Sequence, residues 1–167
     1  MDGGLVVRAE PRVVPAEFDH VLAIGGALRE ADRAEVWASG RYLPVEAVLQ
    51  GYRASTHVWT GLIGDEPICM FGVAPVSLLG AAGRPWMLGT DGVERHQVAF
   101  LRRCRPCVAA MRSVYDSLEN WVDERNATAH RWLRWLGFRL EDPQPWGVDG
   151  ELFRRFEWRR DWRRDDV

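Results

Sequence analysis

The stretch that decides the fold covers residues 118–138 and reads LENWVDERNATAHRWLRWLGF. Its first part, residues 118–122, has the apolar, β-type pattern of a strand. Asn126 follows where a helix N-cap is expected, since its side chain can accept a hydrogen bond from the first helical turn. The helix itself is indicated by apolar residues at steps of three or four: Ala129, Trp132, Leu133 and Leu136. Gly137 favours a helix end there, so the stretch predicts a strand, a loop and a short helix.

Helical and β patterns also order the chain before this stretch. A first strand is predicted at 5–9, and helices at 15–28, at 29–39 and from Pro44 onward. Three strands follow, joined by turns at 64–65 and 80–83: 57–63, 68–79 and 86–90. Because tight turns join antiparallel neighbours, this block predicts an antiparallel half of a sheet.

The longest helix is predicted at 91–115, with Asp91 as its N-cap. Its buried stripe is predicted from apolar residues at helical spacing: Val98, Leu101, Cys104, Val108, Met111 and Tyr115. Pro106 lies inside this segment, where it should kink the helix or split it.

The chain closes with two strands, 138–140 and 152–158, separated by a Pro- and Gly-containing segment, 142–150, that predicts a loop. A strand, a helix and a further strand imply a parallel crossover. We therefore expect an α/β (α+β) fold, with a mixed central sheet of about six to seven strands and helices on both faces. Residues 1–160 are predicted to form one domain, and 161–167 a charged C-terminal tail.

Composition narrows the function classes. The formal net charge is −2, which disfavours nucleic acid as a partner of the whole domain. All 22 basic residues are arginine. No apolar run is long enough to span a membrane and the N-terminus lacks a signal-peptide pattern, so a protein of the cytoplasm, or of a particle assembled there, is expected. Cys104 and Cys107 lack a second pair of ligands, so no metal site is expected.

The opening stretch resembles the strand-plus-helix signature of the GNAT (N-acyltransferase) fold at five positions: Val122, Asn126, Ala129, Gly137 and Phe138. A closer resemblance links four segments to the GNAT-like proteins of bacteriophages and prophages, including internal virion proteins of short-tailed phages: 28–39, 70–79, 85–91 and 131–138. That resemblance implies the GNAT fold, a role in a phage particle or in its assembly, and a protein partner from the particle or the host.

Acetyl-CoA is the cofactor that a GNAT resemblance implies. The matching positions for its binding are Leu88, Gly89, Thr90, Arg95, Val98, Ala99, Asn126, Ala129 and Leu133. Such a site needs backbone amides at a helix N-terminus for the pyrophosphate and a proton donor and acceptor for the chemistry.

Several of these positions depart from the family pattern. With Arg95 at the first position of the phosphate loop, Val98 and Phe100 stand where glycines belong. Asp91 and Glu94 would repel a phosphate. Leu133 occupies the position of the usual tyrosine acid and has no proton to give.

Candidate catalytic groups remain nearby. Asp91, Glu94 and His96 could act as a base, although residues at a helix N-terminus also serve as caps and dipole partners. Tyr115 or Cys69 could act as the acid in place of the missing tyrosine. These departures favour a phage or prophage component or protein-binding module in which acetyl transfer has degenerated; the alternative is an active acetyl-CoA-dependent N-acetyltransferase.

The Arg-rich end, 153–164, alternates arginine pairs with Phe and Trp. It is either a closing strand whose Arg stems cover apolar surface or an arm that docks on a protein partner.

Overall fold

A computed structural model describes residues 9–162 of the chain. The helices are α1 (Phe18–Gly26), α2 (Glu30–Gly40), α3 (Pro44–Ala54), α4 (Gly92–Arg95), α5 (Gln97–Val114) and α6 (Ala127–Trp135). The strands are β1 (Pro11–Pro15), β2 (His57–Ile63), β3 (Glu66–Pro75), β4 (Ala82–Gly89), β5 (Ser117–Asp123), β6 (Arg139–Leu140), β7 (Gln144–Trp146) and β8 (Glu151–Arg159). The predicted strand at 5–9 and the predicted tail at 161–167 fall largely outside the described residues.

The strands form one mixed sheet in the order β1-β2-β3-β4-β5-β8-β6, with β7 paired to β8. Among the described pairings, β4 with β5 is parallel and the others are antiparallel. The sheet has eight strands, one more than predicted, because β7 forms inside the segment predicted as a loop. Gly147 and Gly150, at φ 77° and 67°, provide the turn that folds β7 back onto β8.

Helices cover both faces of the sheet, as predicted. On one face, α1 to α3 pack a core that includes Val21, Ile24, Val48, Met70 and Leu88. On the other, α5 and α6 pack a larger core that includes Phe100, Met111, Leu118, Val122 and Trp132. The mixed α/β sandwich expected from the sequence is therefore confirmed.

The main helical segment is interrupted, but not where the sequence suggests. The break lies at His96, between α4 and α5, and α5 continues through Pro106. Pro106 is exposed, so its ring and missing N–H face water. Asp91 stands at the N-cap of α4, but its side chain accepts no capping bond.

The buried stripe of α5 also differs from the prediction. Val98 is 62% exposed, whereas Phe100 is only 2% exposed. The inward stripe is therefore Phe100, Cys104, Cys107, Val108 and Met111, and Val98 lies on the outer side of the first turn.

Strand bounds shift by a few residues elsewhere. The strand predicted at 68–79 begins at Glu66 and ends at Pro75. β4 begins at Ala82, inside the segment predicted as a turn. The deciding stretch keeps its predicted form: Asn126 caps α6 through a hydrogen bond from Ala129 N–H, and Gly137 has φ 88°. Within residues 9–162, no helix is both long enough and apolar enough to cross a membrane.

Candidate active site

The site forms where two neighbouring parallel strands separate. β4 and β5 pair only at Ala82–Ser117 and Gly83–Leu118. Asn120 then bridges the widening gap, donating from Nδ2 to the carbonyl oxygen of Pro85 at 2.9 Å. Beyond that bridge the two strands no longer pair, and a cavity opens between them.

This cavity has a volume of about 550 Å³. Its walls come from both helical layers, with α2 and α3 on one side and α5 and α6 on the other. Most of the lining is apolar, so a polar group inside it must be accounted for by a specific partner.

Glu35 of α2 is the polar group that lies at the end of β5. Its Oε2 accepts hydrogen bonds from the backbone N–H of Asp123, at 3.2 Å, and from Nδ2 of Asn126, at 3.1 Å. Burial, aided by the negative charge of Asp32, raises the pKa of Glu35 to about 7 against the two hydrogen bonds, which lower it. Glu35 is therefore partly ionised at neutral pH, a state suited to exchanging a proton with a ligand.

Arg29 and Asp32 form a second polar cluster at the end of β4. Both side chains are 3% exposed, and Arg29 Nη2 lies 2.8 Å from Asp32 Oδ1. Asp32 also accepts the N–H of Gly89 at 2.8 Å. Burial raises the pKa of Asp32, and the bonds from Arg29 and Gly89 oppose that rise. The pair ties the start of α2 to β4, next to the bridge between Leu28 and Thr90.

Arg29 reaches from this cluster to the connection between β4 and α5. Its Nη1 lies 2.9 Å from Glu94 Oε1, and its Cζ lies 5.1 Å from the ring centre of Trp132. Trp132 in turn donates from Nε1 to Oε1 of Gln97 at 3.3 Å. Arg29 therefore pairs with both Asp32 and Glu94, and the three groups together keep one negative charge.

Three of the residues implied as cofactor contacts line the cavity from α6 and its cap: Asn126, Ala129 and Leu133. Leu88 lines it from β4. Gly89 and Thr90 follow Leu88, but both N–H groups are already bonded, to Asp32 and to the carbonyl of Ile68. The structure therefore brings these six positions to the open end of the strand gap.

The remaining implied contacts lie outside the cavity. Arg95, Val98 and Ala99 are exposed around the start of α5, where backbone amides of a first helical turn have no partner within the helix.

The four catalytic candidates do not come together. Asp91, Glu94 and His96 lie on the exposed connection into α5. Tyr115 is buried at the closed end of the gap, where its OH lies 3.0 Å from Thr56 Oγ1 and its ring faces Gly83. It does not line the cavity. Glu35 does line the cavity, but it is not among the predicted site residues, because the sequence of its segment indicates only a charged helix. The available signal was the spacing of Asp32, Glu35 and Val36, which places two acids on the face of an apolar residue.

Arginine is concentrated on α5 and α6, the two helices that cover one face of the sheet. Residues 95–115 contain five arginines and no acidic residue: Arg95, Arg102, Arg103, Arg105 and Arg112. α6 adds Arg131 and Arg134, again without an acidic residue. In a chain of net charge −2, this face is locally positive and suits an anionic ligand.

No protein-family model matches the sequence, and no curated protein is similar to it. Solved structures are similar over most of the chain. Ard1 from Thermoplasma volcanium superposes with a TM-score of 0.68 at 12% identity, over 89% of this chain and 97% of that one. The ribosomal-protein-alanine N-acetyltransferase from Brucella melitensis gives 0.68 at 13% identity, over 89% and 99%.

A GCN5-related N-acetyltransferase from Kribbella flavida gives a TM-score of 0.65 at 17% identity, over 89% of this chain and 97% of that one. Such low identities establish an architecture and not an activity. The chain has the fold of the GCN5-related N-acetyltransferases, the GNAT fold.

Proposed function

We propose that this chain is an acyl-CoA-dependent N-acyltransferase in which Glu35 accepts the proton of the amine substrate. The observation that carries the proposal is the position and pKa of Glu35: it lines the cavity between the separated strands, and its pKa is about 7. A carboxylate with that pKa is a competent base at neutral pH, whereas an ordinary glutamate is too weak.

The residues around the cavity fit an acyl-CoA. The first turn of α5 offers backbone amides and the positive end of a helix dipole for a diphosphate, and Arg95 stands beside it. The apolar lining from α5 and α6, including Leu101 and Leu133, suits an uncharged arm. Arg29 pairs with Glu94 as well as with Asp32, so it offsets only part of the repulsion expected from Glu94. When bound, acyl-CoA supplies the acyl group, and coenzyme A leaves as the thiol with the second amine proton on its sulfur.

The chain's own part is proton transfer and orientation. Glu35 takes one proton from the ammonium group of the acceptor, which leaves a nitrogen lone pair free to form the new C–N bond as the C–S bond breaks. Asn126 and the Asp123 amide hold the carboxylate in place through Oε2, so its other oxygen remains for the substrate. Leu133 gives no proton to the sulfur, so solvent must provide that route.

Calorimetric titration of the chain with acetyl-CoA, followed by a thiol-release assay with amine acceptors, tests the proposal. We expect micromolar binding and turnover, with Glu35→Gln lowering kcat by about 10²-fold or more and leaving acetyl-CoA affinity unchanged. Acetyl-CoA binding without thiol release for any amine, or full activity in Glu35→Gln, would contradict the role of Glu35.

A second candidate is a phage or prophage component that binds a protein partner, in a virion or in the cytoplasm, without acyl transfer. Three observations favour it. Val98 and Phe100 replace the expected loop glycines, and the Gln97–Trp132 bond spans the groove between α5 and α6. Leu78 and Leu79, between β3 and β4, are fully exposed at 99% and 102%, as residues that meet a partner often are. Absence of heat with millimolar acetyl-CoA would favour this candidate.

A further inference from the structure

The part of the cavity under α2 and α3 has aromatic walls held in fixed positions. Trp121 and Trp146 stack with their ring centres 5.2 Å apart and their planes 13° from parallel. Trp86 donates from Nε1 to Ser55 Oγ at 2.8 Å and packs against Gly51, where an added Cβ would lie 2.6 Å from the indole. All three rings line the cavity, so a flat apolar ligand would meet preformed aromatic surfaces.

Of the charged side chains that line the cavity, one carboxylate and one guanidinium are free to form an ion pair with a ligand. Arg29 and Asp32 neutralise each other within 2.8 Å. Glu35 is held by two uncharged donors, so its negative charge has no direct cationic partner in the described part of the chain. Arg84 is exposed and forms no ion pair among residues 9–162.

Glu35 and Arg84 stand at opposite ends of the aromatic walls. Continued by one residue, the register of β4 and β5 places Arg84 level with Glu119, whose carboxylate is paired with Arg155. Glu35, by contrast, is bonded to the amide of Asp123. Four residues of strand separate these levels, which is about 13 Å at about 3.3 Å per residue. Trp86 and Trp121 lie between them.

We propose that the acceptor is a primary amine carried on an aromatic body with no second positive charge. Its ammonium group lies at Glu35, its ring lies between Trp86 and Trp121, and its far end lies near Arg84. A polyamine long enough to pass the tryptophans places another ammonium beside Arg84, where like charges repel. This inference rests on the proposed acyl transfer for the choice of an amine, but binding of the amine requires no acyl donor.

Titration of the whole chain with amines, without acyl-CoA, tests the inference directly. We expect 2-phenylethylamine to bind about ten-fold more tightly than butylamine, which lacks the ring, and than spermidine. Equal binding of 2-phenylethylamine and butylamine would overturn the aromatic part of the inference. Tighter binding of spermidine would overturn the charge part.

Two variants locate the effect. Trp121→Leu should weaken 2-phenylethylamine binding about ten-fold, whereas Trp135→Leu, on α6 and outside the cavity lining, should not change it. Arg84→Glu changes an exposed side chain, and it should improve spermidine binding by about ten-fold while leaving butylamine unaffected. Arg103→Glu, exposed on α5, is its control for charge. If the Arg84→Glu variant binds spermidine no more tightly than the parent chain does, the far end of the amine ligand does not lie near Arg84.

The two proposals fail in different ways. Binding of 2-phenylethylamine at Trp121 together with no acetyl-CoA binding would end the acyl-transfer proposal and leave the amine site. Acetyl-CoA binding together with release of the coenzyme A thiol only when spermidine is the acceptor would end the aromatic-amine inference and leave the acyl transfer.

Discussion

Glu35 combines partial burial, a neighbouring acid and two hydrogen-bond donors on one carboxylate. Its bond to Asn126 joins residues 91 positions apart in the chain. No local pattern encodes such a contact, so the spacing of Asp32, Glu35 and Val36 could place Glu35 on an inward helix face but could not assign it a partner or a role. Asn126 and Gly137 could be assigned their roles from the sequence, because a cap and a helix end depend on the residues next to them.

The raised pKa of Glu35 makes stability depend on pH. The folded chain binds the proton more tightly than the unfolded chain, whose glutamate titrates near its ordinary value. This contribution is therefore favourable below about pH 4.5 and is lost as pH rises to about 7. We expect Glu35→Gln to raise the free energy of unfolding by roughly 2–3 kcal/mol at pH 8 and by less than about 1 kcal/mol at pH 5. Urea denaturation at both pH values measures this.

Glu66→Gln serves as the control for that experiment. Glu66 is exposed at the start of β3, so its substitution should change stability by less than about 0.5 kcal/mol at either pH. A Glu35→Gln variant destabilised at pH 8 would show that the carboxylate is favourably held when ionised, contrary to this account.

Asn126 offers a way to move the pKa of Glu35 without removing it. Asn126→Asp keeps an oxygen that can accept from Ala129 N–H, but it replaces the donor at 3.1 Å from Glu35 with a negative charge. We expect the apparent pKa of the pH–rate profile to rise by about one unit or more. Asn126→Ser, which keeps a capping oxygen without charge, should shift it less. An unchanged profile in Asn126→Asp would exclude Glu35 as the titrating base.

At the scale of elements, α5 shows how a strong local signal can be outweighed. Pro106 predicts a kink, yet α5 runs through it, because the stripe from Phe100 to Met111 packs into the core on both sides of the proline. β7 was missed for a related reason: its Pro- and Gly-rich composition indicates a loop, but pairing with β8 supplies the order.

Because Pro106 is tolerated within α5, its replacement should be favourable. Pro106→Ala restores a backbone N–H and removes the ring from the preceding turn, and we expect it to stabilise the chain by about 1–2 kcal/mol. Thermal or urea unfolding measures this. Arg102→Ala, at another exposed position of α5, should stay within about 0.5 kcal/mol. A destabilised Pro106→Ala variant would mean that the proline shapes α5 in a way that the core requires.

At the scale of the molecule, the mixed sheet and its two helical layers follow from the order of patterns in the sequence. The cavity does not, because it depends on how far β4 and β5 stay paired. The charge of the chain likewise follows from the sequence, but its distribution over the surface depends on the fold. The total of −2 argues against an anionic partner, yet α5 and α6 carry arginines and no acidic residue.

This uneven distribution predicts how salt affects cofactor binding. If the positive end of α5 and Arg95 hold the phosphates, acetyl-CoA affinity should fall about ten-fold when ionic strength rises from about 0.05 M to about 0.5 M, because salt screens exposed charges. S-acetylpantetheine, which has the same thioester arm without phosphates, should bind more weakly and show little salt dependence. Calorimetry with both ligands measures the difference.

Charge reversal identifies the side responsible. Arg95→Glu should weaken acetyl-CoA at low salt and leave S-acetylpantetheine unchanged, because only the first ligand carries charge to repel. Arg53→Glu makes the same change on α3, on the opposite face of the sheet, and should affect neither. If both reversals weaken acetyl-CoA equally, the effect comes from net charge and the phosphates do not lie at the start of α5.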